Sequence, residues 1–311
     1  MPSALRSTLL FAALCAGATG LHALTARLVE GPAESAYAEV LGAAVEGAQA
    51  ELERELDLHE EHTSWDDPWE VEDRNLVVRT TRSYAVAKDV AKGQQQMRRY
   101  FVELLGEPVQ RVRKAPILIY ADIPAYNAFG DEHGEYHSSI LGSFYANGHP
   151  DRPVATYADE NRTRLQMTIT HSVLHQYIAE QYPGARLPVW ANEGLASYFA
   201  LFWDFPYGVR ELEAIKQQNR LIPFSTLFNE GIEAYTDDSH ARFIQLGMMF
   251  TYLLRFNEDT RRIGDKEPAQ PFDEFLAAML RGEDVETHPF LQFLTENEDS
   301  LREGFLACEF E

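Results

Sequence analysis

Two histidines, His171 and His175, stand four residues apart in Thr168-Ile169-Thr170-His171-Ser172-Val173-Leu174-His175. On a helix, residues i and i+4 share a face, so both imidazoles can reach one metal ion. Glu193 follows eighteen residues after His175, inside Trp190-Ala191-Asn192-Glu193-Gly194-Leu195-Ala196-Ser197-Tyr198. Pro183-Gly184 between them predicts a turn that folds a second helix back onto the first. Two imidazoles and one carboxylate leave the fourth position of a zinc ion open for water, which is the donor set of a catalytic site rather than a structural one. The cofactor expected on this pattern is Zn2+. The plain alternative is a half-buried helix face, with Leu174 and Ile178 nearby, whose histidines are satisfied by hydrogen bonds.

The histidine pair, its distance from the glutamate and the segment Trp-x-x-Glu-Gly-x-Ala-x-Tyr resemble the gluzincin metallopeptidases. The nearest echo is the bacterial peptidase-MA-like domain, and the resemblance spans residues 75–305. The Trp-to-Tyr segment is also similar to the alanyl aminopeptidases, whose Gly-x-Met-Glu-Asn motif this chain lacks. The resemblance implies His171, His175 and Glu193 as metal ligands, and a peptide or protein as ligand. It fails at one position. Where the family has His-Glu-x-x-His, this chain has His171-Ser172-Val173-Leu174-His175. In the family, that glutamate takes a proton from the zinc-bound water and passes it towards the leaving amine. A serine hydroxyl is not a comparable base near neutral pH, and general acid–base catalysis contributes about 10² to 10⁴ in rate. The expectation is a degenerate peptidase, or pseudoprotease. Two alternatives stand beside it: an active metallopeptidase drawing its base from elsewhere, for instance near Asp131, Glu132 or Glu135, and a metal-free interaction scaffold.

Further residues belong to the expected cleft. Asn192 and Tyr198 flank Glu193, and Tyr198 reads as packing or as a hydroxyl that orients a ligand. His240, at the start of a C-terminal helix, has the right type for a transition-state donor, as do His137 and His149. Tyr145 and Tyr157 lie on two strands before the metal helix. In the gluzincins a strand there binds extended peptide by its edge, so 139–146 or 153–158 is the expected peptide-binding edge. Ser172 as a nucleophile is disfavoured, because consecutive helix residues point about 100° apart and no Gly-flanked turn presents it.

The elements that must position these residues follow from the pattern. Residues 76–80, 116–121, 139–146 and 153–158 read as strands, and 83–105, 161–182 and 188–203 as helices. Segments 209–219, 239–256, 272–281 and 288–308 carry helical apolar spacing. Strands followed by helices predict an α+β fold, a small sheet with the metal and glutamate helices and then an all-helical C-terminal part. The expected organisation is 1–26 signal peptide or anchor, 27–74 acidic spacer, 75–205 peptidase-like core and 206–311 helical part.

The chain has 311 residues, with 27 Lys+Arg against 49 Asp+Glu, a net charge of −22. That balance opposes nucleic acid, whose affinity comes from cations neutralising phosphates, and equally an anionic membrane surface. Residues 51–73 are crowded with acids and read as a solvated spacer. No apolar run long enough for an internal membrane span occurs beyond the N-terminus. Arg6, the apolar run Leu9–Ala18 and Ala18-Thr19-Gly20 form a signal-peptide pattern, hence export to a periplasmic or extracellular location. An ordinary helix or an uncleaved anchor stays open for that segment. Cys15 and Cys308 are too few for a disulfide framework.

Overall fold

Strands β1 (Trp69–Glu72) and β2 (Leu76–Thr80) form an antiparallel hairpin. Its turn is set by the Asp73 carboxylate, which accepts from the amides of Asn75 (2.6 Å) and Leu76 (2.9 Å). The computed structural model of the chain describes residues 64–106, 114–133, 142–146, 148–231, 234, 239–257, 262–263, 270–285, 288–308 and 310. The signal-like segment 1–26, most of the acidic stretch, Glu135, His137 and residues 139–141 lie outside these.

β1 falls inside the stretch expected to be a solvated spacer ending at residue 74. The reason is its alternation. Trp69 and Val71 are half-buried, whereas Glu70 and Glu72 point outward and pair with Arg79 (2.6 Å) and Lys114. Acids on the solvent side of a two-period pattern are compatible with a strand.

Helix α1 (Tyr84–Leu105) starts at Ser83, whose hydroxyl accepts from the Val86 amide, and stops at Gly106 with φ of 87°. Strand β3 (Ala115–Tyr120), helix α2 (Ile123–His133) and strands β4 (Ser143–Tyr145) and β5 (Val154–Tyr157) follow. The sheet order is β1-β2-β3-β5-β4. β2, β3 and β5 run parallel, and antiparallel β1 and β4 form the two edges. One face buries Leu76, Val78, Ile117, Ile119 and Val154 beneath α1 and helix α3 (Arg162–Gln181). The opposite face sets Tyr120, Phe144 and Ala155 against Tyr126 and Phe129 of α2 and against Trp65.

α2 occupies a segment to which the sequence pattern assigns no element, because Pro124, Asn127 and Gly130 mask its helical signal. Its start is capped by Asp122, whose carboxylate accepts from the Ala125 amide at 2.8 Å.

The remaining described elements are helices apart from a two-residue ladder, β6 (Phe256–Asn257) with β7 (Arg262–Ile263). The helices are α4 (Val189–Leu201), α5 (Phe205–Gln217), α6 (Phe224–Asn229), α7 (Ser239–Arg255), α8 (Gln270–Leu280), α9 (Pro289–Glu296) and α10 (Glu298–Ala307). The expected 288–308 helix is thus two helices, parted at Asn297, whose side-chain amide and backbone N–H both donate to the Phe293 carbonyl. No described helix is long and apolar enough to cross a membrane. The architecture is α+β, a small sheet with a helical C-terminal part, as the sequence predicts.

All described residues belong to one compact unit. Its largest core joins α4 to α7, where Gly194 gives Phe250 room and Gly247 meets Ser197 and Leu201. Trp190 is wedged between Phe228, Phe250 and a stacked Phe275, the last 6.0 Å away at 8°. The turn between α3 and α4 is braced from the C-terminal part. The Arg186 amide donates to the Met279 carbonyl at 3.0 Å, and Gly282 (φ 75°) lies so close to Gly184 that a Cβ there would overlap its carbonyl.

Candidate metal centre

Helix α3 begins at Asn161, whose side chain accepts from the Arg164 amide, and runs through both histidines. It is buried on nearly all sides. Thr170 anchors it to neighbours: the Trp203 indole donates to Thr170 Oγ1 at 2.7 Å, and the Gln94 amide does so at 3.0 Å. Gln94 also donates to the Gln166 carbonyl at 3.0 Å. These bonds fix the rotation of α3, and hence which face carries His171 and His175.

Their Nε2 atoms lie 3.2 Å apart. Glu193, brought back on α4, places one carboxylate oxygen 3.2 Å from His171 Nε2 and the other 3.5 Å from His175 Nε2. Among the described residues these three form a metal-competent cluster, with donor atoms within 4.8 Å of one another. The fit to zinc can be tested on these distances. A tetrahedral ion bound at about 2.0–2.1 Å separates its donor atoms by about 3.3 Å; the two Nε2 atoms meet that spacing, as does the Glu193 oxygen next to His171, while the approach to His175 is made by the second carboxylate oxygen. Three groups with lone pairs facing one point need a cation between them, a proton in the metal-free protein or a metal ion when one is bound. The Nδ1 atoms of both rings are buried without a hydrogen-bond partner, so Nε2 is the atom each ring turns towards its neighbours.

The electrostatics agree. Burial alone would raise the Glu193 pKa, but His175 and His171 outweigh it and hold the carboxyl down at about 2. Burial lowers the His175 pKa against the opposing pull of Glu193 and the contact with Asn192. The carboxylate is therefore charged and the His175 ring disposed to be neutral, the forms in which each ligates a metal.

Ser172 is only 2% exposed. The Ser143 hydroxyl, on strand β4, donates to the Thr168 carbonyl at 2.8 Å and lies 2.7 Å from the Ser172 hydroxyl. Each hydroxyl has one proton, so Ser172 donates and Ser143 accepts. Ser172 is thus tied to the sheet rather than presented to the metal face.

The other expected residues are scattered. Asn192 lies beside His175. Tyr198 packs its ring on Phe199 and Phe202, on a side of α4 turned about 140° from Glu193. Tyr145 reaches Glu180 at 3.4 Å, towards the far end of α3. Tyr157 sits on the opposite sheet face against Tyr126. His240 pairs with Glu211 at 3.1 Å; it stands one turn before Phe243, whose ring is 5.7 Å from that of His171. His149 packs with His133 and Phe129 on the α2 side of the sheet. Asp131 and Glu132 are exposed on α2, across the sheet from α3, so the strands themselves separate these acids from the metal face. β5 is paired on both sides and has no free edge, so of the two strands expected to bind peptide only β4 lies at an edge of the sheet as described. Sequence reading missed Ser143 and Phe243. Neither carries a local signal, because both reach the site across the fold.

No family model and no curated protein matches the sequence. Among solved structures, the chain is similar to that of an M1 zinc metallopeptidase from Deinococcus radiodurans, at 14% identity and a TM-score of 0.40. The match covers 80% of this chain and 52% of the other, so the chain spans about half the length of that enzyme. Likeness at this level says nothing of shared chemistry, and the candidate metal centre stands on its own geometry.

Proposed function

We propose that this chain is an exported zinc-binding protein with a gluzincin-like scaffold that holds peptides without hydrolysing them at peptidase rates. The observation that carries the reading is one juxtaposition. Two imidazole nitrogens 3.2 Å apart face a carboxylate whose two oxygens lie 3.2 Å from one and 3.5 Å from the other, a cluster that can close on a zinc ion, while the neighbouring Ser172 is hydrogen-bonded to the sheet.

His171 and His175 would hold the ion through Nε2 and Glu193 through its carboxylate. A bound zinc ion supplies Lewis acidity and lowers the pKa of its water. The chain's own part is to fix the donors, through the rotation of α3 and the return of α4, and to keep Glu193 ionised. At the general-base position it carries a hydroxyl in place of a carboxylate. Ser172 is a hydrogen-bond donor in a buried pair, and the acids of α2 face the other side of the sheet. Peptide would be taken by the edge that β4 leaves unpaired among the described residues, where the strand rests on α3. Export rests on the residue pattern of 1–26.

The test is the zinc content of the full-length protein after mild purification, beside His171→Ala. About one zinc per chain, lost in the variant, is the expected result. No zinc in the wild type would sink the metal site and leave an interaction scaffold. Peptide hydrolysis at about 1–10³ s⁻¹, abolished by Glu193→Ala, would sink the non-hydrolytic part.

A further inference from the structure

We propose that Ser143 and Ser172 act as one unit, in which the strand residue occupies the space that a longer side chain at 172 would need, so that strand β4 keeps the general-base position shut. The inference rests on the reading of the metal centre above and extends it from the helix to the strand. On that reading the base was exchanged at 172; here a second residue, on another element, holds the exchange in place.

The packing carries it. Ser172 and Ser143 are 2% and 4% exposed, and their hydroxyls touch at 2.7 Å. A glutamate or glutamine at 172 in the serine's direction would run into Ser143. The strand has little freedom to retreat, because each residue around Ser143 is held. Thr156 Oγ1 donates to the Gly142 carbonyl at 2.8 Å. Gly142 has a φ of 70° and lies so near Tyr157 that an added Cβ would come within 2.8 Å of its ring. Tyr145 contacts Glu180 of α3 at 3.4 Å, and the Ala146 amide donates to the Pro153 carbonyl at 2.8 Å. The helix side is fixed too, since Ser143 also bonds the α3 backbone at Thr168. Ser143 is therefore a positioning residue that acts through position 172, and a single reversion to glutamate does not rebuild the base.

The experiment is a double-mutant cycle in the full-length protein with zinc added: wild type, Ser143→Gly, Ser172→Gln and the double variant. In the wild-type background Ser143→Gly lowers the melting temperature, because it removes a buried hydrogen-bond partner. In the Ser172→Gln background it raises it, because it makes room. That reversal of sign is the expected result; an equal loss in both backgrounds overturns the proposal. Should Ser172→Gln fail to fold, Ser172→Thr adds a single methyl group and runs the same cycle. As a second readout, Ser172→Glu with Ser143→Gly hydrolyses peptide at least tenfold faster than Ser172→Glu alone, and equal or undetectable rates in both overturn the claim that the strand is what shuts the position. Zinc content is measured in parallel. A wild type without zinc defeats the metal reading, while the sign of the melting cycle still decides the serine pair.

Discussion

At the residue scale, the three donors make opposite demands on protons and metal, and this fixes how the metal-free protein responds to acid. Glu193 is held at about 2 in the fold against an ordinary 4.5. His175 is lowered from an ordinary 6.5. In both, the unfolded chain takes up its proton first as the pH falls, so the contribution to stability is present at high pH and lost on acidification. The metal-free protein should melt at progressively lower temperature below about pH 6.5, and more steeply between about 4.5 and 2. In Glu193→Gln the lower limb should flatten; a wild-type curve flat from pH 7 to 3 would contradict the assigned environment. The donors themselves were legible in the sequence: the histidine pair from its helical period, and Glu193 from the turn signal together with the gluzincin resemblance of the Trp190–Tyr198 segment. Ser143 was not legible. Its partner is 29 residues away on another element, and no periodicity encodes which serine of an edge strand meets which residue of a helix.

At the element scale, the closeness of α4 and α7 is what holds Glu193 in place. Gly194 is the point of contact, and a Cβ there would overlap the Phe250 ring. Gly194→Ala should cost about 1–3 kcal/mol by overpacking, read as a lower midpoint in denaturant, and zinc affinity should weaken with it because the adjacent Glu193 shifts. A fully stable Gly194→Ala protein would show that the helices have slack the packing does not suggest. The long helices α1, α3, α4 and α7 were readable from apolar spacing and end signals. α2 and β1 were hidden, one by proline, asparagine and glycine in its run, the other by the acids between its apolar residues. Sheet order lies beyond any local pattern. That β5 is interior and β4 is the edge follows from the crossover through α2, not from the residues of either strand.

At the scale of the whole molecule, 27 cations face 49 anions. Such a chain repels itself, and salt screens that repulsion, with a Debye length falling from about 30 Å at 0.01 M to about 3 Å at 1 M. The melting temperature should therefore rise with sodium chloride, by about 2–4 °C for each 1 kcal/mol of repulsion relieved. A fall would mean that local pairs such as Arg242–Glu230 (2.7 Å) outweigh the global field.

The contact of the α8 end with the α3–α4 turn has a practical reach. Arg186 is bonded to Met279, and Gly184 is pressed against Gly282, so the hinge that sets the distance between the histidines and the glutamate is supported from almost a hundred residues downstream. On the zinc reading proposed above, metal uptake would report on the C-terminal part. A chain shortened before Gln270, or nicked there by a protease, should release its metal although all three ligands remain, and would be mistaken for a protein that never bound any.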